Sequence, residues 1–464
     1  MMQKHMAEIP EWREIFLSLP IIRGFFEGDP DSHGINELLK GFSIYLEQIV
    51  HHAENDHPFL WYNLGFNSEL VYALGDDVAP LPIESLGVMH NLPGDIGVTL
   101  DFIDGAQAAG VPSDCCSADK LAVGAMSRGL YPDPVCCVGI NTPCDAQVMG
   151  TQAMAEIAQK PFFVIDVPYY HNDETIKHVA AQLQELIPFL EKHTGRKLDY
   201  ERLEHVCELS NEMTESIWEW LEWRKHVPLA QSSKLVAFTL ILQILFTGSR
   251  EGVDIAKGLL REARERTERG ERFFEERVRA IWYQDPVWTD MQIYDWFEHE
   301  LGLTVPVDVF GYYANEGLID TSTPETMLYG LARKLVNCHP MARQFRSDID
   351  IYIRDFMHLL EAWNADCCIF AGHIACKHAW GGIGLFREAC RRADVPVLVF
   401  EFDMFDPRVT PYEDIFFEVE RFVNEIVYPR KLRAGRRRPQ HGNFSRSGYW
   451  IDGVEGRHCD RRTA

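Results

Sequence analysis

The stretch ADCCIFAGHIACKHAWGGIGLFREACRRADVPVLVFEFD, residues 365–403, decides the fold. Its apolar run Cys367–Ala371 leads to a turn carrying Cys376 and then to a helix-like segment around Leu385–Arg392. A second apolar run, Val395–Phe402, ends in acids. Short apolar runs alternating with a helical pattern predict a βαβ unit with buried parallel strands. Ligands bind beyond the carboxyl ends of such strands, and Cys376 sits just past the first of them. Taken alone, a free cysteine there is more often a small buried apolar residue than a ligand.

The same plan occurs earlier in the chain. PDPVCCVGINTPCD (132–145) predicts a strand over Val135–Ile140 and a turn with Cys144; a helix and a strand over Phe162–Val167 follow. VCCVGINTPCD (135–145) and CCIFAGHIACK (367–377) share paired cysteines in a strand, a glycine, and a cysteine in the loop beyond. Upstream, FLWYNLGFNSELVYALGDDVAPLPIESLG (59–87) reads as strand, helix and strand, with Gly75 as a helix C-cap. AIWYQDPVWTDMQIYDWFEHELGLTVPVDVFGYY (280–313) echoes it. Two similar halves suggest a duplication with the active cleft between them. The expected fold is α/β, with two Rossmann- or flavodoxin-like lobes built on parallel sheets. The expected divisions are a helical segment 1–56, a first lobe 57–171, a helical segment 172–275, a second lobe 276–429 and a basic, disordered tail 430–464. In the middle segment Val179, Leu183, Leu186 and Leu190 mark one buried helix face.

A chain of 464 residues can bury several cores. The formal charge of −25 argues against nucleic acid as a partner. No basic-then-apolar leader opens the sequence, and the longest apolar run, Leu235–Phe246, is too short to span a bilayer. A cytoplasmic protein without membrane attachment is expected. In a reducing compartment, twelve cysteines are metal-binding, catalytic or buried rather than paired. They crowd two regions: Cys115, Cys116, Cys136, Cys137 and Cys144 in one, and Cys367, Cys368, Cys376 and Cys390 in the other.

The strand pairs Cys136–Cys137 and Cys367–Cys368 read as core filling, as does Cys207 within a helix. Ser113 or Asp114 is a candidate cap for a helix that would hold Cys115 and Cys116 in its first turn. A helix start favours the thiolate that a metal needs. Cys116 (or Cys115), Cys144 and Cys376 therefore stand out. No CxxC or HxxxH accompanies them, which weighs against a zinc finger. Thiolates converging from distant loops suit an iron–sulfur cluster, and three of them would leave one iron open for catalysis.

These motifs also carry a family resemblance. PSDCCSADKLAVGA (112–125), VCCVGINTPCD with FFVIDVPYY (162–170), CCIFAGHIACK with VPVLVFEFD (395–403), FNSELVYALG (66–75) and VTPYEDIFFEVERFVNEI (409–426) resemble, in order and spacing, the 2-hydroxyacyl-CoA dehydratase/benzoyl-CoA reductase family. The likeness runs from about residue 57 to residue 428 and is closest to the larger, substrate-binding subunit of the D-component kind. It implies that Cys116, Cys144 and Cys376 together ligate one [4Fe-4S] cluster, with Cys115 a rival for Cys116. It implies a heterodimer with a related second subunit, and a separate ATP-dependent iron–sulfur activator that injects one electron. The implied reaction is loss of water from an (R)-2-hydroxyacyl-CoA through a ketyl radical anion, the electron returning at the end. This is oxygen-sensitive chemistry of anaerobes.

Glu69 and Glu84 are candidates to hold the substrate hydroxyl or move a proton, since they fall where the chain faces the first cysteine site. His373 and Lys377 flank Cys376 and are expected in a solvated loop, or else against cluster sulfur or CoA phosphate. Three other readings stand beside the dehydratase. One is a subunit of an ATP-dependent aryl-CoA reductase. Another is an electron-transferring or double-cluster protein without an acyl-CoA site. The last is a structural α/β protein whose cysteines are all core.

Overall fold

In the computed structural model, residues 29, 31–85, 96–288, 290–339 and 341–436 are described. The first 28 residues, most of the tail, and the end of the 59–87 stretch lie outside them. The chain forms two four-stranded parallel sheets. The first orders its strands β2-β1-β3-β4, with β1 Phe59–Tyr62, β2 Ala79–Pro82, β3 Pro134–Ile140 and β4 Phe162–Ile165. The second repeats that order as β6-β5-β7-β8, with β5 Val278–Gln284, β6 Leu303–Thr304, β7 Cys367–His373 and β8 Val397–Phe402. The architecture is the two-lobed α/β fold that the paired motifs predict.

Their topology fixes where ligands can go. In each sheet the chain runs outward on one side (β1 to β2, β5 to β6) and then returns to build the other (β3 to β4, β7 to β8). The reversal falls between β1 and β3 and between β5 and β7, so adjacent loops leave in opposite directions and open a crevice. Asn63 fastens the first of these junctions: its side chain donates to the Ile140 carbonyl at 2.8 Å and accepts from the Ile140 N–H at 2.9 Å.

Both cysteine pairs are core, with Cys136, Cys137, Cys367 and Cys368 fully buried. Cys207 is buried as well. The predicted strand Phe162–Val167 ends two residues early. There the Asp166 N–H turns to Gln182 Oε1 and the Val167 N–H to Asn141 Oδ1, so neither continues the ladder. The basic tail begins as helix, since Tyr428–Arg436 is helical.

Long helices fill the space around the sheets. His33–Glu54 buries Leu38, Phe42, Leu46 and Ile49, and Asp173–Thr194 buries Val179, Leu183, Leu186 and Leu190 as one stripe. Leu235–Phe246 is apolar nearly all round and almost wholly buried, as such a helix must be. The cores are shared across the sequence halves. Met327, Leu328 and Leu331 on the helix Pro324–Arg333 pack with Leu60, Cys136, Val138 and Ile176, so the second half supplies part of the first sheet's core. Among the described residues no helix is long and apolar enough to cross a membrane.

Candidate functional site: a cysteine-lined cavity

The carboxyl ends of both sheets border one cavity of about 430 Å³. Leu64 follows β1, Glu84 follows β2 and Cys144 follows β3; Asp285 follows β5, His373 to Lys377 end and follow β7, and Met404 follows β8. Cys116, Cys144 and Cys376 all line it, and Cys115 lines it too.

Each of the three cysteines stands at the same kind of place, the residue before the first turn of a helix. Cys116 precedes Ser117–Ser127, Cys144 precedes Asp145–Ala158, and Cys376 precedes the short helix Lys377–Gly381. The expected cap, Ser113 or Asp114, is displaced. The Cys115 N–H closes a turn on the Pro112 carbonyl at 3.1 Å, and the first helical bond runs from the Lys120 N–H to the Cys116 carbonyl at 3.1 Å. Cys116 itself is the cap residue.

Burial sets the electrostatics of these thiols. It pushes Cys116 well above the ordinary thiol value, and Asp119 and Cys144 add to the rise while the Ala118 backbone N–H opposes it. Cys144 is raised likewise by burial, Asp119 and Cys376, against the N–H groups of Gln147 and Ala146. Cys376 is pushed up to about 12 by burial and Asp285, against the N–H groups of Ala379 and His378. Bare thiols here stay protonated. A bound cation reverses that preference, since a coordinating thiol is deprotonated outright. Each helix start supplies N–H groups that favour the resulting anion.

Glu84 is one of the cavity's buried acids. It is 3 % exposed; its Oε1 accepts from the Leu64 N–H at 3.2 Å, and its Oε2 has no hydrogen-bond partner among the described residues. Burial and the neighbouring Asp119 raise its pKa to about 8. Glu69, the other acid named from sequence, does not line the cavity. It is fully buried beneath Lys334 and Ser210, because its helix Ser68–Tyr72 turns inward against Tyr200–Trp223.

His373 is not in a solvated loop. It is the last residue of β7, fully buried, with Nδ1 3.7 Å from Asp403 Oδ2 and neither ring nitrogen hydrogen-bonded among the described residues. Burial holds it below the ordinary imidazole value against the pull of Asp403. Lys377 is exposed at the mouth and paired with Asp114 at 2.8 Å, joining the two lobes. The sequence reading missed Asp285, which burial and Asp403 raise to about 8, and Asp119, which burial raises to about 7. Asp285 had a signal. It directly follows an apolar strand, after Gln284, whose φ of +97° turns the chain sharply.

Among the described residues no three His, Cys, Asp or Glu side chains stand close enough together to chelate a single ion. Three soft sulfur donors facing one cavity from separate helix starts suit a wider, multi-centre group.

Fold and cavity together define a two-lobed α/β protein with a cysteine-bordered crevice at paired switch points. The family described as "2-hydroxyglutaryl-CoA dehydratase, D-component" matches residues 63–426, and the chain belongs to that family. It is 24% identical over 342 residues to the (R)-phenyllactyl-CoA dehydratase alpha subunit of Clostridium sporogenes, covering 70% of this chain and 80% of that one. It is 23% identical over 354 residues to one of the benzoyl-CoA reductase subunits of Thauera aromatica, covering 70% and 79%. Over a shorter stretch of 95 residues, 20% of this chain and 19% of the other, it is 30% identical to the alpha subunit of the (R)-2-hydroxyglutaryl-CoA dehydratase of Acidaminococcus fermentans.

Proposed function

We propose that this chain is the iron–sulfur subunit of a 2-hydroxyacyl-CoA dehydratase, a hydro-lyase that removes water from an (R)-2-hydroxyacyl-CoA. One observation carries the reading: Cys116, Cys144 and Cys376, up to 260 residues apart, border a single cavity beside Glu84, whose Oε2 has no hydrogen-bond partner among the described residues. Cys116, Cys144 and Cys376 would hold a [4Fe-4S] cluster. When bound, the cluster would supply a one-electron centre and a Lewis-acidic iron position at the thioester.

The chain's own residues account for the rest. With its pKa near 8, Glu84 is mostly protonated at neutral pH and can donate to a departing hydroxyl, then take up a proton from the acyl chain. Leu240, Ile241, Phe310 and Met404 wall the cavity and exclude water, which strengthens every polar contact inside. His373, held between β7 and Asp403, is placed to donate to an acceptor in the cavity. The proposal includes a related second subunit, a separate ATP-dependent iron–sulfur activator and a cytoplasmic location.

The likeness to a benzoyl-CoA reductase subunit of Thauera aromatica, of nearly equal coverage, supports a second reading as an aryl-CoA reductase subunit. The test is to incubate the anaerobic complex and its activator with a 2-hydroxyacyl-CoA and with benzoyl-CoA. An enoyl-CoA from the first supports the dehydratase. A reduced ring from the second supports the reductase, and no turnover of either contradicts both.

A further inference from the structure

The cavity's wall and its charges differ in a way that bears on the acyl group. One wall is the helix Leu235–Phe246, whose Leu240, Ile241, Ile244 and Leu245 all line the cavity. These positions recur at the spacing of one helix face. Trp288 and Phe310 extend the same apolar surface.

The charged residues around the cavity are unbalanced. Glu84, Asp114, Asp145 and Asp285 line it, and Lys377 is the one lysine or arginine among the described lining residues. Lys377 sits at the exposed mouth and is committed to Asp114. Asp145 is answered by Arg346 at 3.1 Å, while Glu84 and Asp285 lie on the buried side. A second carboxylate carried deep into this space would meet acids and hydrocarbon, with His373, His378 and Gln147 as hydrogen-bonding groups but no free lysine or arginine among the described lining residues to answer its charge. Burying such a charge unpaired is strongly unfavourable. A ring or branched alkyl group would instead gain by leaving water.

Building on the acyl-CoA reading above, we propose that the helix Leu235–Phe246 makes this a site for CoA thioesters with apolar acyl side chains, aryl or branched alkyl, and against acyl groups that end in a carboxylate. Selection lies in the wall, where Ile244, half-buried on the cavity face of the helix, offers hydrocarbon and no cation.

The test uses unreactive saturated thioesters, so that binding is read without turnover. Isothermal titration of the anaerobically purified complex with 3-phenylpropanoyl-CoA, 4-methylpentanoyl-CoA, glutaryl-CoA and free CoA gives four affinities. The two apolar thioesters are expected to bind at least about tenfold more tightly than glutaryl-CoA. Ile244→Lys is expected to shrink or reverse that ratio by strengthening glutaryl-CoA. Glutaryl-CoA binding as tightly as the apolar pair, or an unchanged ratio in a folded Ile244→Lys variant, would overturn the proposal. If that variant does not fold, the wild-type ratio decides alone. If no thioester binds more tightly than free CoA, the acyl-CoA reading falls first and the selectivity with it.

Discussion

Lys334 Nζ lies 2.5 Å from Glu69 Oε1, and Ser210 Oγ stands 2.8 Å from each of them. The three side chains come from a helix beside the first sheet, the middle helical segment and the second half of the chain. They meet with almost no solvent access. Burial alone would raise the Glu69 pKa, but the charge and hydrogen bond of Lys334 outweigh it and hold the carboxyl below 4.5.

Removing one partner leaves the other charge buried and unanswered. Lys334→Met is expected to cost ~3–5 kcal/mol in urea unfolding, and the double variant Glu69→Gln/Lys334→Met to recover most of it. Because the folded carboxyl is depressed, the unfolded chain takes up the proton first as pH falls. The pair's contribution is therefore full above about pH 4.5 and is lost below it. Unfolding midpoints measured from pH 3 to 6 should show a smaller acid loss in the double variant than in the wild type.

Glu84 predicts the opposite slope. Its folded pKa is raised from 4.5 to about 8, so the folded chain keeps a proton that the unfolded chain has released. Stability of the iron-free protein should fall as pH rises between these values, by up to about 1.4 kcal/mol per unit, and level off above pH 8. Asp285 and Asp119 add to the same trend. Glu84→Gln should remove its share of that slope. If Glu84 donates the proton, that variant should also lower turnover by about 10²–10⁴-fold and remove an activity loss near pH 8.

Gly65 sits in the loop after β1, where a Cβ would lie 2.3 Å from the Thr142 carbonyl oxygen and 3.0 Å from Ile140 Cγ2. Both contacts belong to the segment that delivers Cys144. Gly65→Ala must push that segment aside, at an expected cost of ~1–3 kcal/mol. Iron retention in the anaerobically purified variant should fall with it; unchanged iron and stability would contradict the close packing at this junction.

The strands were legible because buried parallel strands announce themselves as short apolar runs, and the repeat of VCCVGINTPCD in CCIFAGHIACK announced the repeated strand order. That Cys115 or Cys116, Cys144 and Cys376 would line a cavity was legible for the same reason: each follows a recognisable break in apolar pattern. Glu69 and His373 were not. Whether a polar residue at the end of an element faces solvent, a cavity or a buried cation depends on what packs there from far along the chain. Lys334 answers Glu69 from 265 residues away, and Asp403 faces His373 from just past the end of β8. The apolar helix Leu235–Phe246 was recognisable as core, but nothing local marks four of its side chains as a cavity wall.

Iron analysis asks whether Cys116, Cys144 and Cys376 together hold one cluster. Anaerobically purified wild-type chain should carry about four iron and four sulfide. Cys116→Ala, Cys144→Ala and Cys376→Ala should each lose most of both, while Cys136→Ala and Cys367→Ala, which change only the sheet core, keep them. Iron lost in Cys115→Ala but kept in Cys116→Ala would move the first ligand by one residue. A colourless, iron-free wild type, or full iron in all three variants, would rule out a cluster shared by these cysteines.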